Sequence, residues 1–95
     1  MVAYAIFIRE RVRDPEGIGD YLAKVPATFE GHPSVRRVGH GALDMLEGPP
    51  MESVVMVEFP SLAAARAWYD SPAYREARAI RHLAADYRAF IVEGV

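Results

Sequence analysis

The sequence contains no cysteine among its 95 residues. This absence excludes disulfide bonds, a thiolate nucleophile, and zinc or iron–sulfur sites held by cysteine. Long hydrophobic runs are also missing. The apolar residues 1–8 lack the basic region of a signal peptide, and the charged residues Arg9, Glu10 and Arg11 follow them at once. Such a run is too short for a signal peptide or a membrane-spanning helix. We therefore expect a cytoplasmic protein that does not contact membranes.

An excess of positive charge is missing as well. The formal net charge is −2, and Arg36-Arg37 is the only pair of adjacent basic residues, which suits a solvated strand edge. Proteins that bind nucleic acids or anionic membranes usually carry a basic patch or stripe. The sequence therefore predicts that neither is a partner.

Apolar residues are abundant and make up 52% of the chain. A chain of this length forms one domain, residues 1–95, and buries roughly two-thirds of the surface that its unfolded form exposes. The apolar fraction exceeds that of an average soluble domain. Part of it therefore needs a cover beyond the domain's own core.

The hydrophobic pattern predicts the order β-α-β-β-α-β with the second helix broken in two. Asp14-Pro15 marks one helix start, and Ser61 and Ser71-Pro72 mark two more, because serine caps a helix and proline suits its first position. The glycines on both sides of His40 predict a bend within a long second strand. The predicted strands cover residues 2–9, 35–47, 52–59 and 87–93. This order is typical of the α+β ferredoxin-like fold, an antiparallel sheet with helices on one face.

The predicted strands are apolar on both faces, as Ile6 with Phe7 and Met56 with Val57 illustrate. A sheet with one wet face should alternate apolar with polar residues, and two helices can cover only one face. The simplest cover for the second face is the same face of another copy. We therefore predict a homodimer formed through the sheet faces.

Several strings carry a resemblance to a known family: Glu58-Phe59-Pro60-Ser61-Leu62, then Ala67-Trp68-Tyr69-Asp70-Ser71-Pro72-Ala73-Tyr74, Arg81 and Ala84-Ala85-Asp86. They resemble the domain-of-unknown-function 1330 family, whose small ferredoxin-like members belong to the dimeric α+β barrel superfamily. The resemblance covers nearly the whole chain and implies this fold and a dimer. It implies no activity, because the family has no settled one. The sequence departs from the family where the usual Arg-Gly-Gly reads Gly39-His40-Gly41, so no role of that arginine carries over.

Four side chains are candidates for one binding site in a cleft between the sheet and the helices. Trp68 would supply an apolar wall, Tyr21 a hydrogen-bonding phenol and Arg81 a fixed positive charge. His40 would be the catalytic residue, since an imidazole between two glycines can approach a ligand and titrate near neutral pH. The alternatives are core packing for Trp68 and a turn histidine that faces water.

Arg81 permits two interpretations. It could anchor an anion such as a carboxylate or enolate, or it could form a structural ion pair with Asp86, Asp70 or Glu58. The three histidines show no spacing typical of a metal site, and no nucleotide or cofactor motif occurs. We therefore expect neither a metal nor a cofactor.

The sequence predicts a small cytoplasmic homodimer that binds or transforms a small anionic or enolisable organic molecule without a cofactor. Whether it is an enzyme stays open at this point. The alternative function is a non-catalytic binding or assembly module, whose aromatic residues serve only the core and the interface. A closed cavity with convergent polar groups would separate the two.

Overall fold

A computed structural model describes all 95 residues and contains four strands and three helices. The elements are β1 (Ala3–Val12), α1 (Pro15–Thr28), β2 (Val35–Gly39), β3 (Ser53–Phe59), α2 (Leu62–Tyr69), α3 (Pro72–Ala84) and β4 (Ala85–Glu93). The strands form one antiparallel sheet in the order β2-β3-β1-β4. The predicted ferredoxin-like order, with its broken second helix, is confirmed. None of the helices is both long enough and apolar enough to cross a membrane.

The break between α2 and α3 follows the two serine caps. The Ser61 hydroxyl accepts a hydrogen bond from the Ala64 amide at 3.0 Å, and the Ser71 hydroxyl accepts one from the Tyr74 amide at 3.3 Å. Pro72 occupies the first turn of α3, where its missing amide hydrogen costs nothing. These caps fix where the buried faces of both helices point.

The predicted second strand is too long. Strand β2 ends at Gly39, and His40 takes a left-handed conformation with φ 60°, which turns the chain away from the sheet. Residues 40–52 form no regular element. The irregularity lies instead inside β2, where the register with β3 shifts between Arg36 and Val38. This bulge leaves Arg37 as the extra residue.

The two faces of the sheet have different surroundings. On the helix side, Phe7 and Val57 are buried, at 5% and 3% exposure. On the other side, Ile6 is the register partner of Met56 in β3 and of Phe90 in β4. Phe90 is 45% exposed. The open face carries nine apolar residues: Tyr4, Ile6, Ile8, Val35, Val38, Val54, Met56, Phe90 and Val92.

The buried stripe of α3 consists of Tyr74, Ala77, Arg81 and Ala84. Ala73 is exposed, so the stripe begins at Tyr74 and has an arginine near its centre. The core cluster contains the Trp68 and Tyr74 rings, and Arg81, which is 2% exposed, packs against the Phe7 and Tyr21 rings of the same cluster.

Candidate functional site

A cavity of about 480 Å³ lies between the helix side of the sheet and helix α1. Every element except α3 contributes to its wall. Three of the four predicted site residues, Tyr21, His40 and Trp68, line it. The remaining one, Arg81, does not line this cavity and lies behind its wall. The other lining residues are Phe7, Leu22, Val25, Pro26, Phe29, Ser34, Arg36, Val55, Val57 and Tyr87.

Trp68 forms the closed end of the cavity and is itself 1% exposed. Its ring stacks on Phe29 with a centroid distance of 4.8 Å and an interplanar angle of 6°, and it lies 4.1 Å from the Tyr74 ring. Its indole N–H donates to the Thr28 hydroxyl at 3.0 Å, and that hydroxyl donates to the Val25 carbonyl at 2.6 Å. Trp68 therefore serves the core and the cavity wall at once.

Tyr21 and Tyr74 form a buried pair, with 2.8 Å between their hydroxyl oxygens. Burial raises the pKa of both phenols, while the positive charge of Arg81 acts in the opposite direction on each. Both phenols are therefore protonated near neutral pH. Since one hydroxyl donates to the other, the pair keeps one O–H for a further acceptor. Tyr21 lines the cavity, so this O–H can be directed towards a bound molecule.

Arg81 lies behind the aromatic wall of the cavity. Its guanidinium carbon is 4.8 Å from the centre of the Tyr87 ring, 5.5 Å from that of Phe7 and 5.9 Å from that of Tyr21. All three rings line the cavity. Arg81 thus packs against three side chains of the cavity wall, and it lines a different pocket together with Asp86 and Tyr87.

No carboxylate pairs with Arg81. The three proposed partners each bind another arginine: Asp86 pairs with Arg11 and Arg13, Asp70 with Arg66, and Glu58 with Arg37. The Nε atom of Arg81 is buried without a hydrogen-bond partner. The ion-pair interpretation is therefore wrong, and the buried charge is left without an anion of the protein's own.

His40 stands at the open end of the cavity, where one backbone and one side-chain hydrogen bond hold the residue. Its backbone N–H donates to the Val54 carbonyl at 3.0 Å, and its Nδ1 is hydrogen-bonded to the Ser53 hydroxyl. Ser53 is buried, so its position is fixed by β3. With Nδ1 engaged, Nε2 is the nitrogen that remains for a ligand or a proton.

Partial burial of the ring lowers the pKa of His40 below its usual value, and the charges of Arg9 and Arg36 lower it further. The imidazole is therefore neutral at physiological pH. A neutral imidazole can accept a proton, whereas the imidazolium cannot. This fits the role of a base better than that of a fixed cation.

The sequence pattern missed the residues that hold the predicted ones in place. Ser53 holds His40, Thr28 holds Trp68, and Tyr74 holds Tyr21. Each pair is separated by at least 13 residues in the chain, so no local spacing indicates it. Arg36 was interpreted as part of a solvated strand edge; it is indeed exposed on the edge strand β2, and it also lines the cavity. The register shift in β2 places Arg36 and Gly39 on the same side of the sheet, and no residue type in the sequence predicts such a shift.

The structure brings together no group of three or more histidine, aspartate or glutamate residues that could hold a metal ion. No aspartate or glutamate lines the cavity either. Its titratable lining consists of two tyrosines, one histidine and one arginine, namely Tyr21, Tyr87, His40 and Arg36. This set can donate hydrogen bonds, hold negative charge and accept one proton.

The sequence profile of the family described as "Domain of unknown function (DUF1330)" matches residues 2–95. No curated protein matches the sequence significantly. Among solved structures, a protein of unknown function from Rhodopseudomonas palustris is 26% identical with a TM-score of 0.77, over 99% of this chain and 82% of that one.

Two further structures share the fold at lower identity. A dimeric ferredoxin-like protein of unknown function from Jannaschia sp. CCS1 has a TM-score of 0.80 and 14% identity, over 99% of this chain and 100% of that one. SnoaB, a cofactor-independent oxygenase from Streptomyces nogalater, has a TM-score of 0.63 and 15% identity, over 99% of this chain and 92% of that one. At these identities the likeness concerns the fold alone.

Proposed function

The chain belongs to the DUF1330 family, and we propose that it binds a small anionic or enolisable organic molecule in the cavity between the sheet and α1. We propose further that His40 moves a proton of that molecule without a cofactor. One observation carries the proposal: the cavity joins a neutral histidine, fixed by Ser53, to an apolar wall with a buried, unpaired cation behind it. A cofactor-independent oxygenase among the structural neighbours is consistent with such chemistry on this fold.

Each site residue has a defined part in this proposal. Trp68 provides a flat apolar surface for the body of the molecule. His40 accepts a proton from a carbon next to a carbonyl. The molecule becomes an enolate, whose negative charge lies mainly on the former carbonyl oxygen. Tyr21 donates a hydrogen bond to that oxygen, and Arg81 stabilises its negative charge from behind the ring wall. The proton then returns from His40 or from water.

Deuterium uptake tests this reaction directly. Phenylpyruvate carries an enolisable carbon between a ring and a 2-oxo acid, and proton NMR in D₂O reports exchange at that carbon. We expect the protein to accelerate exchange above the buffer rate, and His40→Ala to reduce this acceleration by about 10²-fold or more. His82→Ala is the matched control, because His82 is an exposed helix histidine that does not line the cavity.

The outcomes separate the two function classes. Binding of phenylpyruvate without protein-dependent exchange supports the alternative, a non-catalytic binding module. Exchange that is equally fast in His40→Ala contradicts the role of His40. If neither binding nor exchange occurs with phenylpyruvate or with related aryl-substituted acids, the proposal of a small-molecule site is wrong.

We also propose that the open sheet face packs on the same face of a second copy. Its central row, Ile6 with Met56 and Phe90, is apolar and uncovered, and several structural neighbours are described as dimeric. Light scattering should give twice the mass of one chain. Met56→Lys should give monomers or insoluble protein, whereas Ala79→Lys on the exposed side of α3 should stay dimeric. A monomeric native protein would contradict the proposal.

A further inference from the structure

We propose that Arg36 is the residue that selects a carboxylate ligand for this cavity. Its side chain crosses the space that Gly39 leaves open beside His40. This inference rests on the proposed small-molecule site and adds the class of molecule that the site prefers, an apolar body with one carboxylate. Nothing in the sequence pattern indicated it, since Arg36 and Arg37 read as one solvated pair.

The bulge in β2 places Arg36 and Gly39 on the same face of the sheet. Arg36 is the register partner of Val57, and Gly39 is the partner of Val55. Val55 and Val57 both line the cavity. In a regular strand, two residues three positions apart would point to opposite faces. The extra residue Arg37 removes this difference, so both positions face the cavity.

Gly39 makes the room that the Arg36 side chain occupies. A Cβ atom at position 39 would lie 2.9 Å from the Arg36 Nε atom and 3.1 Å from its Cδ and Cζ atoms. The backbone of Gly39 is not in the left-handed region, so its lack of a side chain, rather than its conformation, is what the site uses. The guanidinium therefore runs along the strand towards His40.

Arg36 has no carboxylate of the protein to neutralise it. It takes part in none of the six ion pairs, while its neighbour Arg37 pairs with Glu58 at 3.2 Å. No acidic residue lines the cavity. Arg36 is close enough to His40 to contribute to the lowered pKa of that residue. In the proposed site, the positive charge of Arg36 therefore attracts an anionic group to the region beside Nε2 of His40.

A guanidinium is a planar fork that binds a carboxylate through two parallel hydrogen bonds. A molecule whose carboxylate meets Arg36 at the open end would direct its apolar part towards Trp68 at the closed end. The carbon next to a carbonyl would then lie just inside the open end, near His40. The geometry therefore favours small aryl or alkyl carboxylates over neutral molecules of the same shape.

Two matched pairs of variants test this inference. Arg36→Met removes the cavity cation, and Arg37→Met removes the adjacent arginine that binds Glu58. Gly39→Ala pushes the Arg36 side chain aside without backbone strain, and Gly41→Ala adds the same methyl group where no atom lies within 4 Å. Trp68 is the only tryptophan and lines the cavity, so its fluorescence reports occupancy.

The probes are phenylacetate and cinnamate, each compared with its neutral amide. We expect the native protein and the two control variants to bind the carboxylates about tenfold more tightly than the amides. Arg36→Met should abolish this preference and keep amide binding, and Gly39→Ala should reduce it. The preference should also weaken with added salt, because Arg36 is exposed.

The outcomes distinguish this inference from the proposed function. Equal binding of acids and amides by the native protein contradicts the role of Arg36 and leaves the small-molecule site intact. An equal effect of Arg36→Met and Arg37→Met contradicts it as well, since a general loss of charge would then explain the result. If no probe changes Trp68 fluorescence, the proposed function and this inference both fail.

Discussion

The two ends of the cavity are built on opposite principles. At the closed end, Trp68 is almost fully buried, and contacts with the Phe29 and Tyr74 rings and a hydrogen bond to Thr28 hold it in place. At the open end, Arg36 and His40 are exposed, and a bulge and a left-handed residue position them. The closed end therefore carries the stability of the domain. The open end carries the two residues to which we assign binding and proton transfer, and the core does not depend on them.

The largest effect should come from the closed end. Trp68→Ala removes the stacking partner of Phe29 and leaves the Thr28 hydroxyl without its donor. We expect a loss of about 3–5 kcal/mol in the free energy of unfolding, measured with chemical denaturant. Leu83→Ala, at a residue that is 80% exposed, is the control and should change little. A small loss at Trp68 would mean that this end is not the structural one.

A single hydrogen bond at the closed end should show a smaller effect. Thr28→Val keeps the shape of the side chain but leaves the buried indole N–H of Trp68 without an acceptor. The expected loss is about 1–3 kcal/mol. Thr28→Ser keeps the hydroxyl and should retain most of the stability. If both variants behave alike, this hydrogen bond does not fix the tryptophan.

Removal of the buried charge behind the cavity wall should change the stability of the domain little. Arg81→Met leaves no carboxylate unpaired, because no carboxylate pairs with Arg81. The substitution also removes a buried Nε atom that has no hydrogen-bond partner. The loss of contacts with three rings offsets that gain, so we expect stability within about 1 kcal/mol of the native value. Deuterium exchange of phenylpyruvate should slow, because Arg81 stabilises the enolate in the proposed reaction. Arg78→Met is the control, since Arg78 lies over Tyr69, outside the cavity.

The fold was accessible from the sequence because its boundaries are local. The helix caps Ser61 and Ser71-Pro72 predict where α2 and α3 begin, and the structure confirms both starts. The site was accessible in part: Tyr21, His40 and Trp68 were expected in one cleft, and they line one cavity. What the pattern could not supply is rotation and register.

Two residues illustrate this limit. Arg81 was expected to anchor an anion or to form an ion pair, whereas it lies within the buried stripe of α3 and pairs with no carboxylate of the protein. The arginine usual in the family was counted as lost at Gly39, yet the Arg36 side chain lies over that glycine. A bulge and a rotation of one helix decided both, and each depends on contacts distant in sequence.

The smallest stability effects should come from the open end. Arg36→Met removes an exposed side chain that no core contact requires. We expect its unfolding free energy to lie within about 0.5 kcal/mol of that of the native protein. Losses as large as that of Thr28→Val would contradict the division between the two ends.

The pH dependence of proton exchange should follow His40. Its pKa lies below the usual value of about 6.5 for histidine, so the neutral, proton-accepting form prevails at neutral pH. Exchange should therefore be constant around pH 7 and should fall only as the pH drops through this lowered pKa. In Arg36→Met the fall should shift to higher pH, because one of the charges that depress the pKa is gone. A rate that falls as the pH rises above 7 would contradict the role of His40 as a base.

The central claim is that a small organic acid occupies the cavity with its reacting part at His40. The most direct measurement follows the imidazole proton resonances of the three histidines by NMR as phenylacetate or phenylpyruvate is added. We predict that the His40 resonance, assigned with His40→Ala, shifts in a saturable manner while those of His32 and His82 stay in place. Equal shifts of all three resonances, or a shift only at His32 or His82, would contradict the claim.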